Sequence, residues 1–257
     1  MNLNELFIRN PHSILQVLKN RPKDVLEVSL PKDKNDDVWE EIEALALQNR
    51  VRAGNGSPPP RPSKGRQDSR NKPEAKAVGR ESGHGAMIKA KAPGSIEQLF
   101  AGVDASTRGV WLALDSLQDP QNLGAIFRSA AFFGVKGIVI TSERSAPMTS
   151  TVYDIASGGV ETITHVPVIN LQRAFEKAKD AGLWILGTSE HAKESVQKLK
   201  NDRPWLIVVG NEEKGMRRLT EESCDMTCSI KAKTSGVTSL NVSVATGIML
   251  SHLTLGA

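Results

Sequence analysis

Apolar and polar positions along this chain follow two rhythms, and the switches between them mark most of its elements. Short runs of buried-type residues at 110–115, 137–141, 163–168, 183–187, 205–210 and 226–231 read as strands, and helical spacing fills 122–133, 149–157, 171–181, 216–223 and 239–253. Leu123, Ile126, Phe127 and Ala130, for example, recur at the three- and four-residue intervals that line one face of a helix. Such alternation predicts an α/β domain built on a parallel sheet covered on both faces. Phe132, Phe133, Met148 and Tyr153 are expected in core or dimer packing rather than as base-stacking surfaces.

A smaller α/β piece precedes this domain. Ile14, Leu15, Val17 and Leu18 suggest a short helix, Val25 to Leu30 a strand, Val38 to Leu45 an amphipathic helix, and Gly85 to Ala90 a returning strand. Between them, residues 54–83 are rich in Gly, Pro, Ser and Arg, and Val78 is their only aliphatic residue larger than alanine. No core can be built from such a segment, so it is expected to be disordered. The expected division is therefore 1–53 with 84–92 as one domain, 54–83 as a basic Pro/Arg-rich insertion, 93–107 as a linker and 108–257 as the main domain.

With 257 residues, 39% of them hydrophobic, the chain can bury a sizeable core. The net charge of +4 is unevenly spread, because residues 51–92 are strongly basic and Asp68, Glu74 and Glu81 are their only acids. A basic segment beside a near-neutral domain suits a polyanion partner. The insertion holds no aromatic residue, so its contacts with RNA would be electrostatic and blind to sequence. Cys224 and Cys228 are the only cysteines and lack further Cys or His neighbours, so no zinc site is expected and both should be buried free thiols. His12 and His84 read as fold or turn residues. No apolar run approaches a membrane span and no basic-apolar leader opens the chain, so a cytoplasmic protein without membrane contact is expected.

Three segments carry chemistry. After the apolar run Val110 to Leu114 comes Asp119-Pro120-Gln121-Asn122-Leu123-Gly124-Ala125-Ile126-Phe127-Arg128, a tight turn feeding a helix. Asn122 and Arg128 would be rotated by roughly 600° and separated by about 9 Å on one continuous helix, so they can line one pocket only if Asn122 sits in the turn. The strand Trp205 to Val209 ends in Gly210-Asn211-Glu212-Glu213-Lys214-Gly215, a glycine-bracketed acidic turn that lacks the Gly-Lys-Ser/Thr of a nucleotide P-loop. Gly210 allows a close backbone approach, and Glu212 would project from the sheet edge where open α/β folds bind ligands. Finally, Ser239-Leu240-Asn241 opens the last helix, where Ser239 or Asn241 can cap it and unpaired N–H groups can receive a ligand.

Together these segments resemble motifs 1, 2 and 3 of the SpoU (TrmH-type) branch of the SPOUT methyltransferases, over about residues 108–257. The resemblance implies a parallel sheet with a C-terminal trefoil knot, a homodimer, and methyl transfer from S-adenosylmethionine to a ribose 2′-hydroxyl of RNA without a metal. It makes Asn122, Arg128, Glu212, Ser239 and Asn241 the active-site residues and Gly210, Ile230 and Leu240 the backbone contacts of the cofactor. The N-terminal piece, with Pro11-His12-Ser13 and Ser82-Gly83-His84-Gly85, resembles the L30e-like RNA-binding domain of the ribosomal-RNA members. One departure stands out: the family usually reads Ile-Pro-Met where this chain reads Ile230-Lys231-Ala232-Lys233, beside the adenosine pocket.

A sulfonium methyl is already activated, so the protein must align the hydroxyl, lower its proton affinity and exclude water. Deprotonating a free guanidinium at neutral pH costs about 8 kcal/mol, which favours Arg128 as a clamp on phosphate and ribose, oriented by Glu212 or Asn122, over Arg128 as base. Ribosomal RNA is the expected substrate. The alternatives are a tRNA ribose methyltransferase, whose relatives usually carry only short terminal extensions, and a non-catalytic RNA-binding factor with a defective cofactor pocket. The dimer is expected to use Phe132, Phe133 and the last helix around Ile248 and Leu250.

Overall fold

The computed structural model describes residues 4–32, 36–54, 83–234, 236 and 239–255. They form two compact units, Met1–Lys89 and Ala90–Ala257. The expected disordered insertion lies outside the described residues, except for its terminal Gly54 and Gly83.

In the first unit, β1 (Glu5–Ile8), α1 (Pro11–Asn20), β2 (Val25–Ser29), α2 (Asp37–Gln48), β3 (Arg52–Gly54) and β4 (Gly85–Lys89) form a sheet of order β1-β4-β2-β3. The helix α1 starts where the sequence dictates. Asn10 accepts the His12 and Ser13 N–H groups, and Pro11 occupies the first turn, where a missing N–H costs nothing. Ile14, Val17 and Leu18 from α1 and Ile42 from α2 then fill the core. His12 sits in the first turn of α1, and His84 stacks edge-on against Trp39 at 5.3 Å.

The second unit runs α3 (Ile96–Leu99), β5 (Val110–Leu114), α4 (Pro120–Phe132), β6 (Ile138–Thr141), α5 (Ser150–Ala156), α6 (Gly159–Thr162), β7 (His165–Val168), α7 (Gln172–Asp180), β8 (Trp184–Thr188), β9 (Glu194–Ser195), β10 (Trp205–Val209), α8 (Arg218–Glu222), β11 (Met226–Ser229) and α9 (Val242–Leu255). Its seven strands lie in the order β7-β6-β5-β10-β8-β11-β9, and every pair is parallel. All five residues of β5 and of β10 are buried, as a sheet covered on both faces requires. One face packs Trp111, Val139, Val166, Ile185 and Leu206 against Phe175 and Ala178 of α7.

Residues 93–107, expected as a linker, instead contribute to this core. Ser95 and Gln98 close a reciprocal capping box, and Ile96, Leu99 and Phe100 are buried. Leu250, expected at a dimer face, has no exposure because it packs inward from α9, whereas Phe132 is 82% exposed and Val244 and Ile248 remain at the surface. Tyr153 is core, its hydroxyl accepting the Lys91 N–H at 2.7 Å. Among the described residues, no helix is long and apolar enough to cross a membrane.

The strand order fixes where a ligand can enter. From β5 the chain proceeds to β6 and β7 on one side, and β10, β8 and β11 lie on the other. Leu114 pairs with Val209, so the segments leaving β5 and β10 start side by side at the C-terminal edge of the sheet, the edge at which open α/β folds bind ligands.

Candidate active site

At this edge the three motif segments interlock through their side chains. The Glu212 carboxylate accepts the Asp119 N–H at 3.1 Å, the Gln118 N–H at 3.3 Å, and the amides of Asn122 and Asn211 at 3.2 Å each. Asn122 spends its other end on Asn241, whose Nδ2 donates to Asn122 Oδ1 at 2.9 Å. Asn241 Oδ1 in turn accepts the Ser243 N–H at 2.9 Å and the Ser243 hydroxyl at 2.6 Å, which caps α9. The result is one continuous chain of hydrogen bonds, Glu212 to Asn122 to Asn241, joining residues far apart in sequence. Burial pushes the Glu212 carboxyl up, but N–H donors from its own backbone, Asp119, Asn122 and Gln118 outweigh it and hold the group below the usual carboxylate range.

Beside this chain lies a cleft of ≈ 580 Å³. Its walls are Thr188 to His191 after β8, Val209 to Met216 after β10 and Cys228 to Ala232 at the end of β11; Ser239, Leu240, Val242, Ala245, Thr246 and Met249 close the remaining side. Gly210, Ile230 and Leu240 therefore face one cavity, together with Glu212 and Ser239. Gly210 is needed for a local reason. A Cβ there would come within 2.3 Å of the Gly215 carbonyl carbon and the Met216 nitrogen, so the close approach is that of the acidic turn folding back on its own strand. Lys231, within the stretch that departs from the family pattern, donates its ammonium to the Ala192 carbonyl at 2.6 Å, next to His191 of the cleft wall.

One expectation needs correction. Asn122 lies inside the first turn of α4, not in the turn before it, so the helical rotation carries Arg128 away. Arg128 is exposed, does not line the cleft, and makes no hydrogen bond or ion pair with a described residue; neither Glu212 nor Asn122 orients it. Of the two residues that could cap α9, Asn241 does so, and the helix begins at Val242. Asn122 and Asn241 likewise fall outside the cleft lining, so the structure gathers Gly210, Glu212, Ile230, Ser239 and Leu240 at the cavity and Asn122 and Asn241 behind Glu212.

Sequence reasoning missed Asn211 and Asp115. Asn211 Oδ1 accepts the Glu213 and Lys214 N–H groups at 3.1 Å, turning the chain so that Glu212 faces α4. Asp115, a carboxylate directly after an apolar strand, is the local signal that could have drawn attention. Both cysteines are free: Cys228 is buried and lines the cleft, Cys224 is half-buried, and burial pushes each thiol up to about 12. Among the described residues there is no group of three or more His, Cys, Asp or Glu side chains that could hold a metal ion.

Residues 109–251 match the SpoU rRNA Methylase family. The 23S rRNA (guanosine-2′-O-)-methyltransferase RlmB of Pseudomonas putida is 33% identical over 245 residues, covering 93% of this chain and 92% of that protein. The RlmB of Pseudomonas aeruginosa is 34% identical over 244 residues, with the same coverage of 93% and 92%. Among solved structures, the SpoU methyltransferase AviRb from Streptomyces viridochromogenes in complex with the cofactor AdoMet superposes with a TM-score of 0.74 at 18% identity, covering 98% of this chain and 90% of that one. That likeness is one of fold.

Proposed function

This chain belongs to the SpoU rRNA methylase family, and on that premise we propose that it transfers a methyl group from S-adenosylmethionine to a ribose 2′-hydroxyl of ribosomal RNA. The observation that carries the reading is the Glu212–Asn122–Asn241 chain beside the cleft, which ties all three motif segments into one polar rim.

The cleft suits the cofactor. Its size falls within the usual range for small-ligand sites, and Val209, Ala245 and Met249 offer an apolar wall to an adenine ring. Glu190, Glu213 and Glu221 would put negative charge near a bound sulfonium and ammonium, and Lys214 would be available to a carboxylate. When bound, S-adenosylmethionine supplies a methyl group already activated for in-line transfer. Gly210, Ile230 and Leu240 would hold it, mostly through backbone.

The remaining work falls to the chain. Glu212 is saturated by N–H donors and its proton affinity is held down, so it orients Asn122 and the acidic turn and is a poor acceptor for the ribose proton. Arg128, unpaired by any described residue, offers its planar fork to a phosphate of the substrate. The first unit acts as an RNA-binding domain, and the basic insertion at 54–83 adds attraction without sequence choice. The protein works in the cytoplasm as a homodimer that covers Phe132, Val244 and Ile248, so that RNA held partly by the second subunit completes the site around Arg128.

Mapping 2′-O-methyl positions in ribosomal RNA from cells with and without this protein tests the reading. One position should lose its mark in the deletion and regain it when the RNA is treated with purified protein and S-adenosylmethionine. An unchanged ribosomal map, with a mark missing from tRNA instead, would overturn the substrate assignment.

A further inference from the structure

The first residue after β5 is a carboxylate taken wholly out of water. The Asp115 side chain has no solvent exposure; it forms an ion pair with Arg217 Nε at 2.8 Å and accepts the Arg217 N–H at 3.2 Å and the Ser116 hydroxyl at 3.1 Å. Its neighbour completes the grip. The Ser116 carbonyl accepts from Asn211 Nδ2 at 2.9 Å. Ser116 sits in the left-handed region at φ 62, and its N–H is held by the Thr141 hydroxyl at 2.9 Å. A non-glycine residue persists in that conformation only where its surroundings impose it.

The dipeptide thus holds both ends of the acidic turn, Asn211 at its start and Arg217 at its close, while Asn211 and Gly215 exchange backbone hydrogen bonds of 2.9 Å across the middle. We propose that Asp115 and Ser116, acting with Arg217, are positioning residues that lock the Asn211–Arg217 segment into the shape that presents Glu212 to Asn122 and forms one wall of the cofactor cleft. The physical basis is asymmetry. The Asp115 charge is buried while Arg217 is partly exposed, so the pair adds little net stability, but removing Arg217 strands a buried carboxylate, and the pair therefore favours one geometry. Two of the grips come through 95-residue and 102-residue separations, between strand ends that are neighbours only in the folded sheet.

The kinetic part of the test rests on the methyl-transfer reading above, and hydrogen exchange keeps the two separable. In the full-length protein, Asp115→Asn and Arg217→Gln should each weaken S-adenosylmethionine binding by about tenfold, measured by calorimetry, and lower kcat, with KM for RNA within about twofold of wild type. Arg217→Lys keeps the charge and should recover part of the loss. In the ligand-free protein, amide exchange should rise in 211–217 while the flanking strands β5 and β10 stay protected. Arg217 is 42% exposed on its side chain, so its variants carry the test if Asp115→Asn does not fold. Variants that only lower the melting temperature, leaving cofactor affinity, kcat and 211–217 exchange as in wild type, would overturn the proposal. A wild-type protein that binds no S-adenosylmethionine would overturn the functional reading, and the exchange comparison would still decide the clamp, an increase supporting it and no change sinking it.

Discussion

The two ends of the seven-stranded sheet are built from different chemistry. Where β8 and β10 begin, Trp184 and Trp205 meet edge to face at 6.4 Å, and the Arg203 guanidinium lies over them at 4.3 and 5.4 Å. Trp205 is buried and spends its indole N–H on the Lys200 carbonyl at 3.1 Å. Where β5 and β10 finish, the same strands deliver Asp115, Ser116, Asn211 and Glu212 into a network of carboxylates and amides beside a cleft. One end is closed by packing, the other is held open by polar groups that satisfy one another. Damage to the first should therefore cost stability without changing the reaction, and damage to the second should change the reaction whatever it costs in stability.

The sharpest break of that comparison is Trp205→Ala. Removing a buried tryptophan should destabilise the second unit by about 3–5 kcal/mol in denaturant unfolding, while cofactor affinity of the folded fraction stays as in wild type. A loss of affinity in the fully folded protein would mean that the two ends are coupled. The converse experiment is Arg128→Ala, expected to cut methyl transfer by roughly 100-fold or more with stability within about 0.5 kcal/mol, since an exposed side chain without a partner supports no fold. Arg128→Lys should lie between the two in rate.

Titration separates the ends as well. His165, the first residue of β7, is buried with Nδ1 unpaired among the described residues; burial, then the nearby Lys91 charge, pushes its pKa down to about 4. The unfolded chain takes up a proton near pH 6.5 and the folded chain does not, so stability should fall as pH drops from about 6.5 to 4, by about 3 kcal/mol in all. His165→Gln should flatten that slope in pH-dependent melting without moving the rate profile. Glu212 acts over a lower window: its depressed folded pKa contributes stability that is present above the ordinary carboxylate range and lost only as pH falls through the folded value. The smallest effect is expected for Asn241→Ala, which removes the α9 cap and the partner of Asn122, costing about 1–3 kcal/mol and lowering cofactor affinity and rate together.

Most of the second unit was legible because its strands are continuous apolar runs and α4 shows clean helical spacing. The short β1, β3 and β9 escaped notice, since a strand of a few residues at or near a sheet edge has too little alternation to register. The site was legible in part. Gly210, Glu212, Ile230, Ser239 and Leu240 do meet at one cleft, although a family resemblance, not spacing, singled out Ile230 and Leu240. Helical geometry already stated the condition on Asn122 and Arg128, and the structure places Asn122 on the side of it that separates them. Asp115 and Asn211 stayed hidden because their partners are set by the pairing of β5 with β10, which no local pattern encodes.

The central claim is that the polar end of β5 and β10 directs a methyl group onto a ribose hydroxyl. Full-length protein incubated with methyl-labelled S-adenosylmethionine and ribosomal RNA, followed by complete alkaline hydrolysis, tests it most directly, because a 2′-O-methyl group removes the hydroxyl that alkali needs to cleave the adjoining phosphodiester. The account predicts that the label ends in a single alkali-resistant dinucleotide, and that Arg128→Ala abolishes most of it. Label recovered as a methylated base in ordinary mononucleotides, or a protein that binds the cofactor and transfers nothing to RNA, would contradict it.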